Sequence, residues 1–223
     1  MAPRSPSRLH RDDPDKKPLV GNVKVTRQDW MNVALDTLVS DGIERVKVLS
    51  LAGRMGVSRS SFYWYFKSRQ ELLDALLDAW LASNTQAIVK HAAQPAATIT
   101  QGVLNLFACF TDASAFNNKL DFAIRDWARR SGKVRRVLER SDEQRIEAIA
   151  QLFRRFDYGS TESLIRARVL YYMQIGYNDA ELQEPMADRL RLIPYYVLTF
   201  TGRPAPKNEL ASFQDRLGGL GLL

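Results

Sequence analysis

The chain has 223 residues, 45% of them apolar and 26% charged, with a net charge of +7; that is length enough to bury one large core or two small ones. No stretch approaches the roughly 18–20 uninterrupted apolar residues of a membrane span, the opening MAPRSPSRLHRDDPDKKP lacks the apolar centre of a secretory signal, and a lone Cys109 excludes an internal disulfide. A soluble, cytoplasmic protein with no membrane partner is expected. Charge is unevenly placed: residues 1–70 hold 13 Lys and Arg against 7 Asp and Glu, whereas 71–223 hold 19 against 18. The basic surplus therefore lies in the first third, which points to a localised polyanion-binding face.

Residues 1–23 are rich in Pro, Ser and charge with nothing to bury, and are predicted to form a disordered basic tail. Either Arg4, Arg8, Arg11, Lys16 and Lys17 lie on phosphates, or the tail is simply solvated, with Asp12, Asp13 and Asp15 offsetting part of its charge. Thr26 opens the first helix with Asp29 in its first turn; Trp30, Ala34 and Leu38, four apart, face a core, and Asp41 with Gly42 stops it. Leu51, Ala52 and Met55 form the apolar stripe of a second helix, Ala52 being small enough to let another helix cross closely. Gly56 ends that helix, Val57 fills the corner, and Ser58 suits the N-cap of the next.

In this third helix Phe62 and Phe66 turn inward while Arg59, Ser60, Tyr63 and Trp64 face outward. Such a face serves a DNA groove better than it serves solubility. Arg59 can offer guanine a two-pronged donor, worth about 1–3 kcal/mol of discrimination. Ser60 and Ser61 can bond base edges, the Trp64 ring can pack on a thymine methyl, and Tyr63, Tyr65 and Lys67 suit phosphates. Ser68 and Glu71 form an S-x-x-E capping box for a fourth helix, whose first amides with Arg69 make a second phosphate clamp.

The stretch VSRSSFYWYFKSRQELLDAL resembles the recognition helix and fourth-helix start of TetR-type transcriptional regulators, and the match runs over about 26–77. The resemblance implies a three-helix helix-turn-helix domain, joined by a long helix to a helical body that holds an effector pocket and a two-fold interface. Two positions depart from the family pattern. Lys47 stands where a Ser or Thr usually caps the second helix, so capping must come from elsewhere, although Lys47 can reach a phosphate. Leu49 stands where some members carry a base-contacting Arg, which leaves more of the specificity to Arg59.

The fourth helix is predicted over 69–92, with Leu72, Leu73, Leu76, Trp80 and Leu81 on its apolar side, as one rod of more than roughly 30 Å. Beyond Pro95, helices are predicted over 97–111, 115–130, 133 or 142 to 156, 161–178, 186–201 and 209–217, with no period-2 strand. Pro194 should kink or restart the last long one. The fold class is all-α, divided into the tail 1–23, a DNA-binding domain 24–70 and an effector-binding and dimerisation domain 71–223.

No catalytic, metal or cofactor constellation is found. The histidines are His10 and His91, no phosphate loop occurs, and Cys109 has no histidine with a sequence reason to sit beside it, so it reads as a core residue. Asp121 with Arg125 and Asp126 with Arg130 are spaced for helical ion pairs. The aromatic surplus, Phe107, Phe110, Phe122, Trp127, Phe153, Tyr171, Tyr172 and Tyr177, either fills a core or, with Arg125 and Gln174, lines an apolar cavity with polar anchors. The family resemblance favours the cavity, and DFAIRDWARR is similar to the sixth helix of a large TetR subgroup.

Leu164, Ala167, Tyr171, Gln174 and Ile175 on one helix, with Leu190, Ile193, Val197 and Phe200 on the next, form stripes suited to a homodimer interface. The expected protein is a non-enzymatic, ligand-responsive repressor that binds a palindromic double-stranded DNA operator as a homodimer, takes a small-molecule effector and needs no cofactor. The alternatives are a non-specific architectural DNA-binding protein, or a small-molecule-binding protein or enzyme that uses the body cavity.

Overall fold

Thr26 opens the first helix through a reciprocal cap: its Oγ1 accepts the Asp29 amide, and the Asp29 carboxylate accepts the Thr26 amide at 2.8 Å. The computed structural model describes residues 25–180, 182 and 184–219, and the 1–23 tail lies outside them. Helix α1, Arg27–Asp41, buries Trp30, Val33, Ala34 and Leu38. Gly42, at φ +78°, turns the chain into a single 3₁₀ turn, Ile43–Arg45. Helix α2, Val48–Met55, follows, and Lys47 stands at its N-cap with no side-chain cap bond. Gly56 closes α2 at φ +68°, a left-handed conformation that an L side chain resists by about 1–2 kcal/mol.

The next segment differs from the expected α-helix: Arg59–Trp64 is 3₁₀. Its serines account for the tighter winding. Both the amide and the hydroxyl of Ser61 donate to the Ser58 carbonyl, at 3.1 and 2.8 Å, and the Ser58 and Ser60 hydroxyls pair at 2.8 Å, so Ser58 does not cap a backbone amide. The inward and outward faces nevertheless come out as expected. Phe62 and Phe66 are fully buried and stacked at 5.3 Å, with Trp30 edge-on to Phe62 at 5.2 Å.

Ser68 caps helix α3, Arg69–Trp80, by accepting the Glu71 amide, while the Glu71 carboxylate reaches one residue further back than a standard capping box, to the Lys67 amide at 2.7 Å. The expected single rod is present but carries a π turn, Leu81–Thr85, before it continues as α4, Gln86–Ala93. The body comprises α5 Ile99–Thr111, α6 Asn118–Arg130, α7 Gly132–Arg154, α8 Ser160–Asp179, α9 Met186–Thr201 and α10 Lys207–Gly219. Ser131 caps α7, which selects the earlier of its two possible starts, and α9 continues through Pro194. Among the described residues there is no strand, so the fold is all-α.

These helices enclose two apolar cores. The first gathers Trp30, Leu38, Phe62, Leu72 and Trp80, but it is completed by Leu120, Ile124 and Trp127 of α6 and Val134 of α7. The second lies among α4, α5 and α7 to α10, around Val103, Phe153, Leu170, Phe200 and Leu217. At their junction is a buried ionic cluster. Arg145, fully buried on α7, lies 3.0 Å from Asp121 of α6 and also donates to Thr85 in the π turn and to the Tyr171 hydroxyl. Asp121 further accepts the Trp80 indole N–H at 2.9 Å and Arg125 at 3.0 Å, and Arg125 makes a two-pronged contact to Asp142. The expected pairs Asp121 with Arg125 and Asp126 with Arg130 both form, the first as part of this network and the second near the surface.

Candidate nucleic-acid interface and body cavity

The outward side of the helix-turn-helix brings Arg59, Ser60, Tyr63 and Trp64 together with Lys67 and, from the start of α2, Lys47 and Leu49, all exposed. Trp64 is 84% exposed and Leu49 71%. Rings and a leucine presented so fully to water contribute nothing to the fold's own core and mark a contact surface. Lys47, Arg59 and Lys67 make no ion pair among the described residues, so their charge remains available for an anionic partner. Ser61 is half-buried.

Two residues expected on phosphates turn back to the chain instead. The Tyr65 hydroxyl donates to the Val25 carbonyl at 2.5 Å. Arg69 donates from Nε to the Val46 carbonyl at 2.5 Å and from Nη2 to the Ile43 carbonyl at 3.1 Å. The reason is backbone satisfaction: the Val25 and Val46 carbonyls lie outside the helices and take side-chain donors, while the Ile43 carbonyl, which already accepts the Val46 amide in its 3₁₀ turn, gains a second donor. Tyr65 and Arg69 thus brace the reading segment against α1 and the turn before α2.

In the body, a small cavity of about 50 Å³ lies between α5, α8, α9 and α10. Phe107, Phe110, Gln174 and Tyr177, singled out in the sequence, line it with Met173, Met186, Arg189, Ile193 and Tyr196. Beside it opens a cleft of about 900 Å³ that runs past Phe122 and Asn178 to Leu38–Gly42 at the end of α1. Glu184 accepts the Tyr177 hydroxyl at 2.6 Å; burial, then this bond, pushes that hydroxyl up to about 12. Burial pushes the Cys109 thiol up to about 12 as well, so it stays protonated and behaves as an apolar core group.

Phe153 is buried in the second core and Phe122 lines the cleft, and four more of the residues expected to line the cavity lie elsewhere. Arg125 and Tyr171 are consumed by the ionic cluster, Trp127 fills the first core, and Tyr172 is exposed on α8. Burial pushes the Asp121 carboxyl up, but Arg145 and Arg125, with the Trp80 hydrogen bond, outweigh it and hold the carboxyl below the usual range. Arg189, Met186 and Tyr196 were not singled out because α9 reads as a plain amphipathic helix, and only its packing shows which side meets the cavity.

The stripes expected at a dimer interface are also displaced. Ala167, Tyr171, Val197 and Phe200 are buried in the chain's own second core, Leu190 and Ile193 line the cavity, and Ile175 packs against the core. Of that set, Leu164 is exposed. The exposed apolar residues of these helices lie one step round: Leu164, Ile165, Val169 and Tyr172 on α8, and Leu192, Tyr195 and Leu198 on α9.

Among the described residues no helix is long and apolar enough to cross a membrane, and no group of His, Cys, Asp and Glu is placed to hold a metal ion. Three helical segments around a small apolar core, with a short aromatic and basic segment turned outward and a helical body behind, have the layout of a helix-turn-helix domain. This chain matches, over residues 31–76, the family model described as bacterial regulatory proteins, tetR family. It is 39% identical over 61 residues to the tetracycline repressor protein class C of Escherichia coli, covering 27% of this chain and 28% of that one. Against the class A tetracycline repressor from transposon 1721, also of Escherichia coli, it is 41% identical over 54 residues, 24% of this chain and 25% of that one. The chain thus spans about a quarter of the length of these curated relatives.

The fold likeness extends further. The structure of Mycobacterium smegmatis AmtR aligns with a TM-score of 0.60 at 16% identity, over 89% of this chain and 97% of that one. The fatty acid degradation regulator FadR from Bacillus halodurans aligns with a TM-score of 0.59 at 14% identity, over 82% and 100%.

Proposed function

We propose that the protein is an effector-responsive transcriptional repressor that binds a near-palindromic operator as a homodimer in the cytoplasm, with no catalytic activity. The observation that carries this reading is the exposed face of Arg59, Ser60, Tyr63 and Trp64 held up by the buried Phe62 and Phe66. In it Arg59 reads a guanine, Ser60 and Ser61 bond base edges, Trp64 packs on a thymine methyl, and Tyr63, Lys47 and Lys67 hold phosphates. Residues 24–70 provide the reading surface and 71–223 the regulated body.

Dimerisation uses the exposed apolar face of α8 and α9, which would otherwise be left in water. Two-fold symmetry then sets two reading segments about 34 Å apart on successive major grooves. A ligand in the body cavity shifts the population toward a spacing that no longer fits the operator. Selection of bound duplexes from random and genomic DNA tests the proposal. A recovered site with two inverted halves is expected, and Arg59→Ala should relax base preference within each half. Equal affinity for random and selected duplexes would instead identify a non-specific DNA-compacting protein.

A further inference from the structure

The small cavity and the larger cleft meet at a shared wall that includes Phe110, Tyr177 and Arg189. The carboxylates of the two linings are engaged away from the cations. Glu184 is taken by the Tyr177 hydroxyl at 2.6 Å, and Asp126 faces Arg130 at 3.5 Å. Arg189 of α9 and Lys119 of α6 line the same cleft, and neither makes an ion pair among the described residues. The Arg189 guanidinium lies over the Tyr177 ring, 5.0 Å from its centre, half-buried at the mouth of the apolar cavity. A half-desolvated guanidinium stacked on a ring and lacking a carboxylate is a preorganised anion receptor, because its planar fork matches a carboxylate bidentately.

We propose that this site takes an amphipathic carboxylate, its anionic head held by Arg189 with attraction from Lys119 across the cleft, and its apolar tail inserted beside Phe110, Ile193 and Tyr196. The inference rests on the reading of the cavity as the effector site. The size of the tail follows from the space. About 50 Å³ holds only a few water-sized groups, so a single ring or a short chain fits, and anything longer enters by displacing Met173 and Met186, whose unbranched side chains re-pack readily. The head, seated in a cleft that also touches Ser40 and Gly42 at the end of α1, lies where binding reaches the DNA-reading half.

The test is calorimetric titration of the full chain with octanoate, octanol and octylammonium, which share a tail and differ in the head. Octanoate is expected to bind at least about tenfold more tightly than octanol, the scale of one charge-assisted hydrogen bond, with octylammonium weakest. Arg189→Gln should remove that advantage and leave octanol unchanged, Arg189→Lys should keep part of it, and Lys119→Gln should weaken octanoate only at low salt. Ile193→Trp, which fills the cavity, should exclude the octyl tail whatever its head. Equal binding of the three heads, no binding of octanoate, or an acid preference that survives Arg189→Gln would overturn the assignment. Octanoate binding with no change in DNA affinity would leave the ligand class standing and remove the effector reading.

Discussion

Replacing Asp121 with Asn tests the buried cluster where it is least compensated. Arg145 is 0% exposed, its one carboxylate contact is Asp121 at 3.0 Å, and its remaining partners are the neutral hydroxyls of Thr85 and Tyr171 and the faces of the Trp80 and Phe116 rings. Asp121→Asn therefore strands a cation in the interior, a change that typically costs about 3–5 kcal/mol. Arg125 is protected because it keeps Asp142 at 2.8 Å. The converse change, Arg145→Met, should cost less, about 1.5–3 kcal/mol for the lost charged hydrogen bonds, because Asp121 retains Arg125 at 3.0 Å and the Trp80 indole at 2.9 Å. The double variant should cost well under the sum of the two, since it removes both charges together.

Urea unfolding followed by circular dichroism, at one fixed protein concentration, measures all three. Asp121 also sets an acid limb. Its folded-state carboxyl lies below the unfolded value, so it contributes stability that is complete above the unfolded pKa, near 3.9, and is lost as pH falls through the folded value. Asp121→Asn should flatten the decline below about pH 4. A cost under about 1 kcal/mol for Asp121→Asn, or strictly additive costs in the double variant, would refute the claim that this pair is a coupled, desolvated unit.

Arg69→Ala should lower stability by about 1–3 kcal/mol, because two carbonyls lose a charged donor; unchanged stability with a flattened salt dependence of DNA binding would instead put Arg69 on a phosphate. A Cβ added at Gly102 would sit 2.5 Å from Leu152 Cδ1. The overpacking penalty of about 1–3 kcal/mol should exceed the roughly 1 kcal/mol that Ala contributes to a helix, so Gly102→Ala lowers the melting temperature and Leu152→Val added to it recovers part of the loss. Val169→Asp with Leu198→Asp places charge on the exposed apolar face of α8 and α9; ultracentrifugation should find monomers and titration a large loss of operator affinity, whereas an unchanged sedimentation coefficient would move the interface elsewhere.

Features set by local contacts are legible in the sequence, and those set by distant contacts are not. The reading face came from contacts four residues apart, Phe62 with Phe66, together with Gly56 and the serine-rich start, and these local preferences survived even though the segment wound as 3₁₀. The brace by Tyr65 and Arg69 was invisible because it spans 40 and 23 residues of sequence, and nothing in the spacing says which carbonyls lack partners. The ionic cluster did leave a trace. On α7 the positions Val134, Ser141, Arg145 and Ile149 share the buried side, so a serine and an arginine interrupt an otherwise apolar stripe. A long cation at a core position needs an anion from another element, and the i,i+4 spacing of Asp121 to Arg125 on α6 masks that Asp121 supplies it.

The dimer stripes failed for a different reason. Helix α8 carries Ala167, Leu170 and Tyr171 on one side and Leu164, Ile165, Val169 and Tyr172 on another, so its sequence offers two apolar faces and periodicity cannot rank them. Packing decides: the side holding small Ala167 admits the close approach of neighbouring helices and is taken into the chain's own core. The β-branched and aromatic residues left over are too many and too contiguous, continued on α9 by Leu192, Tyr195 and Leu198, to be the scattered apolar exposure of an ordinary surface. A helix with apolar residues on two sides is satisfied only when both are covered. One is covered by α7 and α9 of the same chain, and the second is the physical reason to expect another copy.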